Sequence, residues 1–213
     1  AISMALIPAL GALARRIETR AAPPKAPDEA LLARPEAQSG RAIVVGHGRV
    51  GKVVCAMLTA HKRAYIATDS DAIAVGKDRR AGHAVYYGDA TSPAFLESCG
   101  LKDASAVIIT IHTPAAIDAI VKLVRGLRPE IPIVSRARDA VHARHLYQIG
   151  VTDAVPETIE ASLQLSEAAL VNLAVPMGKV IASIHEKRDE FRDDLRKANG
   201  GEPTHAIRGK TSG

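Results

Sequence analysis

Residues 42–54, AIVVGHGRVGKVV, place three glycines between an apolar run and a segment with helical spacing. Ile43, Val44 and Val45 are consecutive β-branched residues, which is typical of a strand buried on both faces of a parallel sheet. The glycines follow in the spacing G-x-G-x-x-G, and apolar residues then recur at helical intervals. This order predicts a strand, a tight turn and a helix, the arrangement that holds the pyrophosphate in dinucleotide-binding folds.

Each glycine has its own predicted role in this interpretation. Gly46 permits the tight turn, Gly48 lets a phosphate approach the backbone, and Gly51 lets the helix pack against its strand. The phosphates are then predicted to lie at the N-terminus of the helix that follows, where free N–H groups and the helix dipole favour a bound anion. Tight strand-to-helix turns also use glycine for steric reasons, so the glycine motif alone does not establish dinucleotide binding. The sequence after the motif provides further evidence.

The second predicted strand, 64–69, ends at Asp69, eighteen residues after Gly51. A carboxylate near this spacing accepts a hydrogen bond from a ribose hydroxyl. The alternative is that Asp69 caps the helix that begins near Ala72. Asp71 lies beside Asp69, and two carboxylates repel a 2′-phosphate, so NAD(H) is favoured over NADP.

Composition excludes some classes of partner and of site. The 213 residues carry a formal charge of +5, spread along the chain without a basic stripe or interleaved aromatic residues, so we expect no nucleic-acid partner. The two cysteines, Cys55 and Cys99, have no metal-ligand or C-x-x-C spacing. They are predicted to be small core residues, and no metal site is expected.

Composition shifts divide the chain into segments. Residues 2–13, ISMALIPALGAL, form a largely apolar run that is too short to cross a bilayer and precedes Arg15 and Arg16. They suit either the cytoplasmic end of a truncated membrane helix or an amphipathic helix packed on the domain. The predicted segments are the membrane-helix end (1–20), a proline-rich linker (21–40), a nucleotide-binding domain (41–156), crossover or dimerisation helices (157–199) and a disordered tail (200–213).

The domain alternates strands and helices, which predicts an α/β fold: a doubly wound parallel sheet of Rossmann type, in the order 3-2-1-4-5-6 with a C-terminal helical extension. The predicted strands are 42–46, 64–69, 84–87, 105–111, 131–135 and 153–155. The predicted helices are 50–60, 71–81, 92–98, 115–127 and 139–149.

Polar residues at the predicted strand ends are candidate ligand contacts, because such sheets bind ligands at the carboxyl ends of their strands. Asp89 follows strand 3 and can accept a hydrogen bond from an adenine amino group. Thr110 to His112 lie over the point where the strand order reverses. Arg136 follows strand 5 and can donate to a phosphate, or else it forms a surface ion pair with Asp139.

Two apolar stripes follow the last strand, and both need a partner surface. That surface is either the chain's own sheet or a second subunit. The first stripe is Ile159, Leu163, Ser166, Leu170 and Leu173, and the second, beyond Pro176, is Val180, Ile184, Phe191 and Leu195.

Catalytic groups are not evident in the sequence. It contains no Y-x-x-x-K pair, and we expect no histidine–carboxylate pair at the strand ends. About forty residues of helix after Pro156 do not readily form a substrate site. A nucleotide sensor without enzymatic activity is therefore favoured over a soluble NAD-dependent oxidoreductase.

Several segments together resemble a known family, the RCK (KTN, TrkA-N) regulatory domains of Kef-type potassium/proton antiporters. They are VVGHGRVG, TDSD, YYGDATSPAFLESCG and PIVSRARD, within a region from Arg41 to about Leu173. The resemblance implies a homodimer at the cytoplasmic face of the bacterial inner membrane that gates cation flux. It also implies a bound NAD(H), AMP or other adenine nucleotide, and a membrane-embedded antiporter domain in the same polypeptide. A separate regulatory subunit of a potassium uptake system is the further alternative.

The resemblance also implies roles for individual residues. Phosphates are assigned to Gly46, Gly48, Arg49, Val50, Gly51 and Arg136, the ribose to Asp69 with Asp71 beside it, and the adenosine side to Asp89, Ala90 and Thr91, with Thr110 and Ile111 over the switch point. Two positions depart from the family. His112 and Thr113 stand where an Asp pair is frequent, and Tyr147 stands where glutathione-regulated members carry a basic residue. The second departure argues against carrying a glutathione site over to this chain.

Overall fold

The computed structural model describes Leu31, Ala33, Pro35 and residues 39–197. The predictions for the membrane-helix end (1–20), for most of the linker and for the tail (200–213) lie outside the described residues. None of the helices in the described part of the chain is long and apolar enough to cross a membrane.

Strands and helices alternate from residue 42 onward. The six strands are β1 (Ala42–Val45), β2 (Tyr65–Asp69), β3 (Val85–Tyr87), β4 (Ala106–Ile109), β5 (Ile133–Ala137) and β6 (Asp153–Pro156). The helices are α1 (Arg49–Ala60), α2 (Ala72–Arg80), α3 (Pro93–Ser98), α4 (Pro114–Leu127), α5 (Ala140–Gln148), α6 (Glu157–Asn172) and α7 (Met177–Lys197), with a short 3₁₀ turn at Leu101–Asp103.

All strand pairs in the described sheet are parallel, and the order β3-β2-β1-β4-β5-β6 confirms the predicted doubly wound fold. The register places Val45 of β1 beside Thr68 of β2 and Ile109 of β4. The carboxyl ends of the central strands therefore meet at one edge of the sheet, next to the glycine turn.

Strand β5 departs from its predicted bounds, since Arg136 lies within the strand rather than after it. Ile133, Ser135 and Ala137 are buried on one face, whereas Val134 and Arg136 point to the other, half-buried face. The polar residues of SRARD are typical of a loop. They are nevertheless compatible with a strand, because side chains alternate between the two faces of a sheet.

Helix layers cover the two faces of the sheet with separate apolar clusters. The larger cluster joins Ile43, Ile109 and Ile133 to α3, α4 and α5, and the smaller one joins Val44 and Ala67 to α1 and α2. Cys99 belongs to the first and Cys55 to the second, and burial raises the pKa of each thiol to about 11. Both cysteines are therefore protonated core residues at neutral pH.

The two C-terminal stripes pack against each other. Leu163 of α6 and Val180 and Ile184 of α7 form a buried cluster, and α7 returns to the main core through Leu195. For Leu163, Val180 and Ile184 the observed cover is the other helix of the pair, whereas Leu195 packs in the chain's own main core. Five large apolar side chains of this helix pair and its connection remain exposed: Leu165, Val171, Leu173, Met177 and Ile181.

A candidate nucleotide-binding cleft

A cleft of about 1400 Å³ opens at the carboxyl ends of the strands, where β1 and β4 separate the two halves of the sheet. This is the switch point at which open α/β sheets bind their ligands. All the predicted site residues except Gly51 line the cleft. They are Gly46, Gly48, Arg49, Val50, Asp69, Asp71, Asp89, Ala90, Thr91, Thr110, Ile111 and Arg136.

The glycine turn is closed by contacts that leave no room for a side chain. Gly46 has φ +97°, and a Cβ on it would lie 2.8 Å from the Thr110 Oγ1 atom and 2.9 Å from the Ile111 Cγ2 atom. A Cβ on Gly51 would lie 2.0 Å from the carbonyl oxygen of Gly46. Gly51 therefore lets α1 approach the turn, which is why it is buried behind the cleft instead of lining it.

Gly48 has the opposite surroundings. It is the N-cap of α1 with ordinary φ of −77°, and a Cβ on it would meet no atom of the described residues within 4 Å. Within that part of the chain no side chain caps α1, and its first turn contains no acidic residue. The N–H groups and the positive end of the helix dipole are therefore available to an anion in the cleft.

Asp69 at the end of β2 is held by two backbone donors. The N–H of His47 donates to its Oδ2 atom at 2.7 Å, and the N–H of Asp71 donates to its Oδ1 atom at 2.9 Å. The residue that caps α2 is Asp71, whose Oδ1 atom accepts from Ile73 and Ala74 at 2.9 and 3.0 Å. The alternative that Asp69 caps this helix is therefore wrong, and one carboxylate oxygen of Asp71 is already used within the chain.

The loop after β3 is also organised by its own aspartate. The Oδ1 atom of Asp89 accepts from the backbone N–H and the hydroxyl of Thr91, both at 2.8 Å. Ala90 is buried with its methyl group in the main core, so only its backbone is suited to contact a ligand. The loop presents a preformed edge beside Asp69.

Thr110 and Arg136 have roles that the sequence did not indicate. The Thr110 hydroxyl lies 2.9 Å from the carbonyl oxygen of Gly46, so it ties β4 to the glycine turn. Arg136 donates to the Thr110 carbonyl oxygen at 3.3 Å and forms an ion pair with Glu157, the first residue of α6. The expected alternative, a pair between Arg136 and Asp139, is wrong.

Asp139 serves the neighbouring helix instead. It pairs with Arg138 at 2.9 Å and caps α5 by accepting the N–H of His142 at 2.8 Å. The hydrogen bond from the His142 backbone, followed by that from Arg138, lowers the pKa of the Asp139 carboxyl. Glu157 was missed because no local pattern distinguishes it from an ordinary first-turn acidic residue.

A cluster that sequence spacing did not reveal lies behind the glycine turn. The Nδ1 atom of His47 lies 2.8 Å from one oxygen of Asp78 in α2, and Lys52 of α1 donates to the other oxygen at 2.9 Å. Only His47 follows a strand end, since Asp78 belongs to α2, so this pair differs from the strand-end pair that the sequence analysis did not expect. His47 and Asp78 are 31 positions apart in the sequence and match no local motif, because they meet only through the tertiary fold.

The donors and acceptors of this cleft fit a phosphorylated nucleoside. Positive charge comes from an uncapped helix N-terminus and Arg49, and Asp69 supplies an oriented carboxylate. Lys52 and Arg136 also line the cleft, but Lys52 is paired with Asp78 and Arg136 with Glu157. Thr68 lines the cleft and is only 1% exposed. Its hydroxyl has no hydrogen-bond partner among the described residues. Such a buried orphan group is suited to a polar ligand.

Comparisons with known proteins identify relatives of this chain. A K(+) efflux antiporter, KefB of Alkalimonas amylolytica, is 35% identical over 146 residues, which are 68% of this chain and 22% of that protein. The chain thus spans about a fifth of the length of this relative. Among solved structures, a Kef CTD of Shewanella denitrificans in AMP-bound form matches with a TM-score of 0.64 and 28% identity, over 76% of this chain and 98% of that one.

A second solved structure supports the fold alone. The TrkA-N domain of the inner membrane protein ybaL from Escherichia coli matches with a TM-score of 0.59 and 23% identity, over 62% of this chain and 98% of that one. The model of the TrkA-N domain family matches residues 42–157, from the first residue of β1 to the first residue of α6. The chain belongs to the TrkA-N domain family.

Proposed function

We propose that this chain is the nucleotide-binding regulatory domain of a potassium/proton antiporter of the Kef type. The observation that carries the proposal is the cleft itself, in which an uncapped helix N-terminus faces a carboxylate held by two backbone N–H groups. The similarity to KefB and to an AMP-bound Kef CTD favours an antiporter as the regulated partner.

The proposed ligand is an adenine nucleotide, NAD(H) or AMP. Its phosphate is bound by the N–H groups that follow Gly48 and by Arg136, its ribose by Asp69, and its adenosine side by the loop 89–91. To bind the phosphate, the Arg136 guanidinium releases the Glu157 carboxylate and pairs with the phosphate instead. Asp71 faces the same side of the cleft as Asp69, so its charge disfavours a 2′-phosphate.

Titration calorimetry with AMP, NAD and NADP tests this proposal. AMP or NAD binds, and NADP binds more weakly than NAD. Replacing Asp69 with Ala weakens binding by about 1–3 kcal/mol, because it leaves the ribose hydroxyl poorly paired. The control is Asp189→Ala, which removes an exposed carboxylate of α7 away from the cleft. NADP binding as tightly as NAD would remove the ribose assignment, and no binding of any adenine nucleotide would remove the proposed function.

Regulation is proposed to act through a homodimer at the cytoplasmic face of the membrane. A ligand shifts such an equilibrium only if it binds one dimer arrangement better than the other. The exposed apolar residues Leu165, Leu173, Met177 and Ile181 of the α6–α7 pair support a second copy as cover. Leu31, before the sheet, packs against the smaller apolar cluster, as does Val54 of α1, which supports a mechanical path from the cleft to the linker.

Light scattering with and without AMP tests the dimer. Leu165→Asp with Ile181→Asp separates the subunits and leaves the circular dichroism spectrum unchanged, because both side chains are exposed in the single chain. The matched control, Ala168→Ser on the same helix, leaves assembly intact. A monomer at high protein concentration in both ligand states would contradict this part of the proposal.

The chain is also proposed to have no enzymatic activity. The imidazole of His47 is only 2% exposed and hydrogen-bonds to Asp78, so it is poorly placed to exchange a proton with a substrate. Purified protein is expected to leave NADH unoxidised in the presence of small carbonyl compounds. Turnover that disappears in a Gly48→Val variant would favour the alternative, an NAD-dependent oxidoreductase.

A further inference from the structure

Three polar side chains from three different segments meet behind the glycine turn. His47 belongs to the turn, Lys52 to α1 and Asp78 to α2, and the side chains of His47 and Asp78 are 2% and 7% exposed. Asp78 accepts from Lys52 with one oxygen and contacts the His47 Nδ1 atom with the other. The turn that is placed to bind phosphate is thus anchored to α2 through a titratable ring.

The protonation states in this cluster follow from its contacts. Burial by itself raises the pKa of Asp78, but hydrogen bonds and charge from Lys52 and His47 outweigh it, and the pKa of this carboxyl lies below its ordinary value. Asp78 is therefore a carboxylate at neutral pH. Because a carboxylate only accepts hydrogen bonds, the Nδ1 atom of His47 carries a hydrogen and its Nε2 atom is the site that gains or loses a proton.

The charge of the cluster depends on that proton. Lys52 and Asp78 balance each other when the imidazole is neutral, and a proton on Nε2 leaves the cluster with a net positive charge. The other groups that face His47 are Asp69, which accepts its backbone N–H at 2.7 Å, and the exposed His83, whose ring centroid lies 5.6 Å away.

Charges at the nearby helix termini complete the surroundings of His47. Arg49 adds positive charge at the start of α1, and Asp71 is engaged as the cap of α2. An anion held by the turn compensates the extra positive charge of a protonated His47.

We propose that phosphate binding in the cleft and protonation of His47 favour each other, so that this domain binds its nucleotide more tightly as the pH falls from 8 to 6. This inference rests on the proposed function, because it needs a phosphorylated ligand on the glycine turn. The two effects are reciprocal by linkage: a proton that strengthens nucleotide binding is itself bound more tightly when the nucleotide is present. Histidine is the side chain whose charge changes in this pH range.

Calorimetry on the 213-residue chain with NAD provides the test, since the pyrophosphate diester of NAD keeps a constant charge between pH 6 and 8. We expect NAD to bind at least about fivefold more tightly at pH 6 than at pH 8. Titrations in buffers of different ionisation enthalpy are expected to show that a fraction of a proton is taken up at pH 7. If only AMP binds, the ratio of wild-type to variant affinity provides the same test, because the titration of the AMP phosphate cancels in that ratio.

Two variants assign the proton to a residue. In His47→Asn the amide nitrogen takes the place of Nδ1 and keeps the donor to Asp78, but the side chain cannot gain a proton, so the pH dependence disappears. His185→Asn is the matched control, because His185 is an exposed histidine of α7 that does not line the cleft. The control variant is expected to keep the wild-type pH dependence.

The outcomes distinguish failure of the proposed pH dependence from failure of the proposed nucleotide binding. Binding that changes less than about twofold between pH 6 and 8 without proton uptake overturns the inference and leaves nucleotide binding intact. A pH dependence that survives in His47→Asn also overturns it. Absence of NAD and AMP binding at every pH overturns the proposed function, and the inference with it.

A measurement on the unmodified chain covers the case in which His47→Asn does not fold. Histidine ¹⁵N spectra follow the protonation of the His47 ring directly. The midpoint of its titration is expected at a higher pH with NAD than without it. An unchanged midpoint contradicts the proposal.

Discussion

Helices α1 and α2 both begin at the edge of the cleft, but their N-termini are satisfied in opposite ways. Asp71 accepts the N–H groups of Ile73 and Ala74 at the start of α2, so that terminus is complete within the chain. Gly48 begins α1 without a side-chain cap from the described residues, and a Cβ there would meet only open space.

The difference shows which groups the domain keeps available for a ligand. A helix N-terminus that the chain does not cap stabilises an external anion, whereas a capped one contributes to folding. Arg136 is intermediate, since it lines the cleft but is paired with Glu157.

The largest expected effect concerns the contact that brings α1 to the cleft. Gly51→Ala is expected to destabilise the fold by about 3 kcal/mol or more, because the new methyl group lies 2.0 Å from the Gly46 carbonyl oxygen, a backbone atom that cannot rotate away. Thermal unfolding measures the loss. The matched control is Gly126→Ala in α4, where a Cβ meets nothing among the described residues within 4 Å and stability is kept or raised by up to about 1 kcal/mol. Equal stabilities of the two variants would contradict the assigned role of Gly51.

The second prediction concerns a variant in which α1 gains an acidic N-cap like that of α2. Gly48→Asp is expected to weaken AMP or NAD binding by about 2 kcal/mol, because the new carboxylate caps the helix and repels the phosphate that used its N–H groups. Folding is preserved, since a Gly to Asp change at an N-cap alters stability by only a few tenths of a kcal/mol. Gly48→Asn offers a similar cap without the charge, so calorimetry should find a smaller loss. Unchanged affinity in Gly48→Asp would show that the phosphate does not use this terminus.

The third prediction removes the cap that distinguishes α2. Asp71→Ala is expected to destabilise the domain by about 1 kcal/mol, because it leaves the N–H groups of Ile73 and Ala74 without an acceptor. Denaturant unfolding measures this, and Asp71→Asn keeps most of the stability by keeping an acceptor oxygen. In the same variant NADP should bind closer to NAD, because one of the two carboxylates is gone. A stability loss as large in Asn as in Ala would show that the charge, rather than the cap, is what matters.

The smallest effect concerns Arg136. Glu157→Gln is expected to tighten nucleotide binding by about 1 kcal/mol or less, because partly exposed ion pairs contribute little and the change releases the guanidinium for the phosphate. Arg136→Gln provides the opposite variant and weakens binding. Calorimetry that finds both variants equal to the wild type would place the phosphate away from Arg136.

Much of the fold followed from local patterns. The β-branched run Ile43–Val45, the glycine spacing and the alternation of strands and helices predicted the observed parallel sheet and its order, because strand and helix periods differ clearly over short windows. The bounds of β5 were misplaced, since SRARD is polar and only its position in the sheet puts Ser135 on a buried face.

The cleft likewise contains features that the sequence predicted and features that it did not. Sequence spacing by itself determined that Gly46, Gly48 and Asp69 belong to one site, because each is fixed by its distance along the chain from a strand end. It also predicted that Gly51 packs α1 against its strand, whereas the family resemblance had assigned Gly51 to the phosphates and the structure places it outside the lining of the cleft. Only the tertiary structure decided that Asp71 rather than Asp69 caps α2, that Glu157 holds Arg136, and that His47 and Asp78 meet. These contacts depend on how the helices pack on the sheet. The periodicity of a single sequence does not show which of several nearby carboxylates accepts from a given donor.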